Sequence, residues 1–281
     1  MSDYLKALIY GIVEGVTEWL PISSTGHLIL MRQFLPINVS TPVWNLLLVL
    51  TQLGAILGAL ILFWQKVCPF KKFDKTKGLI SIVKIDSIIL WLKVFIASLP
   101  GVVFKLLSLD ELCDKYFYNP FCVAVALAVF GVGFIIIENL NLNRTPKYNN
   151  LNQITFALAL YVGFFQILAA AFPGTSRSGA TILGALILGA SRLAGSEFTF
   201  ILAIPAMFGA SFFEVIDFLK TNTIITKTEV LILTIGFISA FLVSVLVIKF
   251  LMNFVKKHNF TVFGYYRIIL GIIVLLFFGL R

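Results

Sequence analysis

The chain has 281 residues, of which 59% are hydrophobic and 12% charged, with a formal net charge of +9. A soluble domain carries about 25% charged residues, so this composition excludes a soluble globular domain, a disordered chain and a secreted disulfide scaffold. The cations lie mainly between apolar runs, with no basic stripe interleaved with aromatics, so they orient a membrane protein and do not point to nucleic acid.

The first apolar stretch, 4–35, is interrupted by Pro-Ile-Ser-Ser-Thr-Gly-His at 21–27. Each half is too short to cross about 30 Å of hydrocarbon, which takes about 20 helical residues. The pattern predicts a re-entrant helix–turn–helix whose irregular backbone is buried in protein or lines a wet cavity; one long kinked span is the alternative. The stretch lacks a basic start and a small-residue cleavage site, so it does not read as a signal peptide.

Glu14 and Glu18 are spaced i, i+4 and share a helical face. Two carboxylates in an apolar segment are costly unless they line a polar cavity or bind something. Their mutual repulsion favours keeping a proton on one of them, a carrier for acid–base work. A wetted interfacial helix is the plainer reading. After Leu20, Pro21 ends the helix, and Ser23, Ser24 and Thr25 suit the cap of the next. A helix start offers free N–H donors to phosphate or carboxylate. His27, one short turn on, has the chemistry of a nucleophile or proton carrier, against simple capping and a buried imidazole.

Spans are predicted at 44–65, 87–107, 118–138, 197–218, 229–250 and 264–280. A second broken segment, 153–190, is interrupted at 173–181 by Pro-Gly-Thr-Ser-Arg-Ser-Gly-Ala-Thr. Arg177 is a permanent cation at mid-segment, flanked by Ser176 and Ser178. Unpaired there it costs several kcal/mol, so it needs Glu14, Glu18, an anionic ligand, or a combination. Its planar donor fork suits phosphate oxygens; a permanent Arg–Glu pair is the structural alternative.

Sliding the chain by 152 residues places Gly11 on Gly163, Glu14 on Gln166, Pro21 on Pro173 and Ser24 on Ser176. The layout enters the two broken segments from opposite sides, the pattern of inverted-topology repeats whose broken helices meet at a midplane site. The expected architecture is one all-α polytopic membrane domain, 1–281. It holds six transmembrane helices plus two re-entrant helix pairs, in repeats of about 1–110 and 151–262.

Loops 66–86, 139–152, 191–196 and 251–263 share one side in this layout. In and beside them lie thirteen cations: Lys66, Lys71, Lys72, Lys75, Lys77, Lys84, Arg144, Lys147, Arg192, Lys249, Lys256, Lys257 and Arg267. The other side has seven: Lys6, Arg32, Lys105, Lys115, Lys220, Lys227 and Arg281. The richer side is assigned to the cytoplasm, so both termini and the first broken pair face outward. Lys93, Lys105, Glu138, Glu214 and Asp217 are expected to snorkel near span ends, His258 to be solvated, and Glu197 to reach Arg192 or the cavity. Cys68, Cys113 and Cys122 lack metal-ligand spacing and read as free thiols.

GIVEGVTEWLPISSTGHL (11–28) and PGTSRSGATILGALILGASR (173–192), with QLGAIL (52–57) and SEFTFILAIP (196–205), closely resemble the bacterial undecaprenyl-diphosphatases of the bacitracin-resistance type. The resemblance covers nearly the whole chain. It implies an inner-membrane phosphatase with an outward-facing site, acting on undecaprenyl diphosphate in membrane lipid and recycling the carrier for wall polymers. It also implies important positions at Glu14, Glu18, Ser24, His27 and Arg177, with supporting contacts from Ser23, Thr25, Gly174, Ser176, Ser178 and Thr181. Stimulation by a divalent cation such as Mg2+ or Ca2+ is implied too, with Glu14 and Glu18 as candidate ligands, although two carboxylates alone make no metal site. The nucleophile stays open between Ser24, Thr25, His27 and an activated water, and homo-oligomerisation also stays open. Inverted repeats with broken helices equally suit a transporter or lipid flippase, distinguished by translocation without phosphate release.

Overall fold

The computed structural model describes residues 1–71, 83–221 and 223–279. Lys72, Lys75, Lys77 and Arg281 of the charge count lie outside them. In chain order the helices are α1 (Asp3–Thr17), α2 (Ser24–Phe34), α3 (Thr41–Val67), α4 (Ile85–Leu106), α5 (Leu109–Phe117), α6 (Pro120–Leu140), α7 (Phe156–Ala171), α8 (Arg177–Ile187), α9 (Arg192–Lys220), α10 (Lys227–Phe254) and α11 (Thr261–Gly279). Among the described residues strand pairing is confined to isolated bridges.

Six of these helices, α3, α4, α6, α9, α10 and α11, are long and apolar enough to cross a membrane. They match the six expected spans, and the boundaries differ where caps decide them. The α9 helix begins at Arg192, earlier than hydropathy alone suggests, because the Ser191 hydroxyl accepts the Ala194 N–H at 3.1 Å. A Thr226–Glu229 capping box starts α10. The short α5 was not expected; its polar composition lacks the apolar run used to find spans.

The two broken segments form short helices of 15 and 11 residues (α1, α2) and 16 and 11 residues (α7, α8). At 1.5 Å per residue these reach about 16–24 Å, short of a bilayer core. Pro21 and Pro173 fall in the breaks, where the missing N–H costs nothing. Each pair doubles back. Lys6 Nζ and the Tyr10 hydroxyl, early on α1, donate to the carbonyls of Pro36 and Leu35 just beyond α2. Ser191 N–H, beyond α8, donates at 2.8 Å to the Tyr148 carbonyl ahead of α7.

The helix partners exchange between halves. The α1 helix packs along α10, whereas α7 packs along α4. Both crossings are tight: a Cβ on Gly11 would strike the Gly236 carbonyl and the Ser239 hydroxyl, and one on Gly163 the Ala97 carbonyl. The small residues of 54–58 allow close packing, with Gly54 and Gly58 against the α10 backbone.

The described ends of the α3–α4 connection lie with the α6–α7, α8–α9 and α10–α11 connections at one end. Lys93 Nζ donates to the Asn152 carbonyl at 3.2 Å, the Ser191 hydroxyl to that of Asn149 at 3.2 Å, and the Ser87 hydroxyl to that of Lys66 at 2.8 Å. Three polar side chains depart from expectation there. Lys93 and Glu138 are buried rather than snorkelling. Glu138 accepts Arg192 Nε and Nη2, the latter at 2.6 Å, and the Phe260 N–H at 2.9 Å, joining α6, α9 and the start of α11. Glu197 pairs at 2.6 Å with Lys66, since Arg192 is already taken. Lys105, Glu214, Asp217 and His258 do lie at exposed positions.

Glu138→Ala should therefore destabilise the fold. It strands a buried N–H and a cation; with Arg192 a third exposed, the loss should be about 2–3 kcal/mol, below that of a fully buried pair. A lower midpoint in detergent thermal unfolding checks this, and an unchanged midpoint contradicts it.

Candidate active site

The two breaks meet inside the bundle and have the same local geometry. Ser23 (φ +72°) and Ser176 (φ +68°) both adopt the left-handed region, which costs a non-glycine residue about 1–3 kcal/mol. Each caps the helix that follows, accepting the N–H of Gly26 at 3.3 Å and of Gly179 at 3.2 Å. The turns thus correspond at an offset of 153, Ser23 with Ser176, one residue from the sequence alignment that paired Ser24 with Ser176. The second turn carries one residue more between its proline and its capping serine, Pro173 to Ser176 against Pro21 to Ser23, which accounts for the slip. In this register Ser24 and Arg177 occupy the same place, the first residue of α2 and of α8.

Those two residues converge on one carboxylate. The Ser24 hydroxyl donates to Glu18 Oε2 at 2.9 Å, and Arg177 Nη2 donates to Glu18 Oε1 at 2.8 Å. Glu18 sits just after α1 because Thr17 ends the helix and Trp19 is fully buried edge-on against Phe200 of α9, 5.2 Å between ring centres. The Ser178 hydroxyl donates to the Glu18 carbonyl at 3.1 Å, fastening the second turn to the first. The ion pair stays part-open, with the Arg177 and Glu18 side chains 17% and 9% exposed. Glu14, one turn earlier, is fully buried, and neither of its carboxylate oxygens has a hydrogen-bond partner among the described residues.

The other expected residues divide. Ser23, Gly174, Ser176 and Ser178 build the turns, Gly174 with φ +95° against the Val123 backbone. The Thr181 hydroxyl turns back to its own helix, donating to the Arg177 carbonyl at 2.8 Å. Thr25 is half-buried on the first turn of α2. His27 does not join Glu18, Ser24 or Arg177. Its Nδ1 lies 2.7 Å from the Ser23 carbonyl, which can only accept, so Nδ1 carries the proton. In the neutral ring Nε2 then accepts the Tyr266 hydroxyl, also at 2.7 Å, with the two rings parallel.

Tyr266 and Arg267, adjacent on α11, were not expected at the site. Arg267 is a correction: it was counted with the rim cations but is fully buried. It donates to the Pro21 carbonyl at 3.2 Å, to Gly174 at 3.1 Å and to Thr175 at 2.6 Å. The signal was present, since a cation within the apolar run from Val262 to Leu276 is as anomalous as Arg177. Its nearness to loop 251–263 hid it.

The family model described as bacitracin resistance protein BacA matches residues 7–273. A protein named undecaprenyl-diphosphatase from Desulfitobacterium hafniense is 50% identical over 281 residues, covering 100% of this chain and 98% of the relative. Relatives of the same name from Lachnoclostridium phytofermentans and Enterococcus faecalis are each 48% identical, covering 97% and 98% of this chain and 96% of their own length.

Proposed function

The chain belongs to the bacitracin resistance protein family, and from that membership we propose that it hydrolyses undecaprenyl diphosphate to undecaprenyl phosphate and inorganic phosphate. It is a multi-pass membrane phosphatase that recycles the lipid carrier for wall synthesis and confers bacitracin resistance. At residue level, one observation carries the reading: the Glu18 carboxylate held between the Ser24 hydroxyl and the Arg177 guanidinium.

The diphosphate binds between the two turns, with its isoprenoid tail in lipid. Arg177 uses one N–H on Glu18 among the described residues. A guanidinium has five, so its remaining donors serve the phosphate together with the first-turn N–H groups of α2 and α8. Glu18 takes the Ser24 hydroxyl proton as that oxygen attacks the terminal phosphorus. The bond from that phosphorus to the bridging oxygen breaks, and undecaprenyl phosphate leaves with the oxygen and the proton. Water then attacks the phosphoserine; Glu18 takes the water proton and returns it to Ser24 as phosphate departs. Of the side-chain candidates Ser24, Thr25 and His27, Ser24 is the one whose hydroxyl contacts Glu18 and it is taken as the nucleophile; both nitrogens of His27 are engaged. His27 and Tyr266 hold the strained Ser23 carbonyl and so position the first turn.

A divalent cation fits beside this arrangement. Glu14 presents unpartnered buried oxygens next to Glu18, while no group of three or more metal-ligating His, Cys, Asp or Glu side chains occurs among the described residues. Glu14 and Glu18 would hold it, carboxylate oxygens being the hard donors that suit Mg2+ or Ca2+. Such an ion supplies neutralisation of phosphate charge.

Each broken pair is re-entrant, and the two belong to inverted repeats of about 1–110 and 151–262. The exchange of partners, α1 on α10 and α7 on α4, and the matched turns support this. The end where the four basic connections gather is cytoplasmic, so the site opens outward.

Phosphate release from a polyprenyl diphosphate by the purified protein in detergent tests the reading. Release is expected. Folded protein that moves the lipid across vesicles without releasing phosphate overturns it. Tyr266→Phe removes one neutral hydrogen bond from His27, so kcat should fall by less than about tenfold with KM near wild type. In the same assay a loss as deep as that of a Ser24 variant would make the imidazole a reacting group.

A further inference from the structure

We infer that Arg267 is a positioning residue of the phosphatase, a buried fork that sets the distance between the two turns and thereby the placement of Ser24 and Arg177 around Glu18. This rests on the phosphatase reading above.

Arg267 is buried without a carboxylate partner among the described residues; its bonded acceptors are main-chain carbonyls. Nη1 binds the Pro21 carbonyl of the first turn, Nη2 binds Gly174 and Thr175 of the second, and Nε lies 3.5 Å from the Leu127 carbonyl of α6. One rigid plane therefore spans both breaks. Pro21 is three residues from Ser24, and Thr175 is two from Arg177.

A buried, unneutralised cation is expensive and persists only where its surroundings require it. Packing does not need this one, because an apolar residue would fill the space more cheaply. The turns do need it. Each break leaves carbonyls without helical partners, and a fork with five donors in fixed directions satisfies several at once and holds them in register. The local sequence makes room: a Cβ on Gly179 would lie 2.7 Å from Arg267 Nη1. Because the fork binds carbonyls, it does not compete for the first-turn N–H groups of α2 and α8. Lysine keeps the charge but has neither the plane nor enough directed donors.

A misplacement of about 1 Å can cost about 100-fold in turnover. Arg267→Lys should therefore lower kcat by about 100-fold in the phosphate-release assay while KM stays within about threefold, since the phosphate-binding groups remain. Gly179→Ala crowds the fork without removing it and should shift kcat in the same direction. In an Arg177→Lys background, adding Arg267→Lys should cost less than about threefold further, because the group being positioned is already impaired.

The proposal is overturned if folded Arg267→Lys and Gly179→Ala proteins both turn over within threefold of wild type, or if the Arg267 and Arg177 losses multiply. Failure of both variants to fold also overturns it, since Arg267 would then serve the fold alone. If Arg267→Lys alone fails to fold, the Gly179→Ala turnover decides. An inert wild type would instead refute the phosphatase reading, so the two failures are distinguishable.

Discussion

Arg177→Ala should abolish phosphate release, with kcat/KM falling by about 10^3- to 10^5-fold, the range for cations that stabilise a phosphoryl-transfer transition state. The guanidinium has two tasks. It neutralises Glu18 at 2.8 Å, and its remaining donors meet charge that develops on the phosphate only during transfer. Without it, a polyanionic substrate must approach two carboxylates, Glu14 and Glu18, with no fixed cation between them. Arg177→Lys restores the charge without the fork and should recover part of the activity, leaving a deficit of about 10- to 100-fold. Both variants need the wild-type elution profile in detergent, because loss of the Glu18 pair also loosens contact between the turns. An Arg177→Ala protein that is folded and within tenfold of wild type would remove this residue from the reaction.

Much of this site was legible in the sequence for one reason. In a chain with so few charges, each charged residue inside an apolar run needs a local explanation, and Glu14, Glu18 and Arg177 all stand at breaks. Hydropathy and helix length sufficed for the six spans and for the two short pairs. Partner choice was less legible. Burial at the bundle's basic end follows from tertiary packing, so Glu138 and Lys93 looked like rim residues although they lie inside. Arg267 was missed because position along the chain stood in for depth; only the folded arrangement shows that α11 carries it to the carbonyls of both turns. The register of the turns shifted by one residue for a similar reason. Sequence identity aligned Ser24 with Ser176, but the strained capping backbone aligns Ser23 with Ser176. That shift matters to the chemistry, since it makes the proposed nucleophile and the phosphate-binding cation equivalent positions of two related helices.

Glu18→Gln should be the sharpest test of the proposed acid–base step, with kcat reduced by about 10^2- to 10^4-fold and the fold retained. The amide matches the carboxylate in shape. It can still accept from Arg177 at one position, and the Ser24 hydroxyl can reorient to accept from the amide group. What disappears is the ability to take a proton from Ser24. Substrate affinity should hold or improve, because a negative charge beside the diphosphate is removed, so the loss should fall on kcat rather than KM. Glu18→Asp, which keeps a carboxylate but shortens its reach, should recover part of the rate lost in Glu18→Gln and so separates a base from a structural acceptor. A folded Glu18→Gln protein within tenfold of wild type would move the base elsewhere, with Glu14 the next candidate on the same face of α1. A Ser24→Ala protein should then show no further loss when combined with Glu18→Gln, because base and nucleophile serve one step.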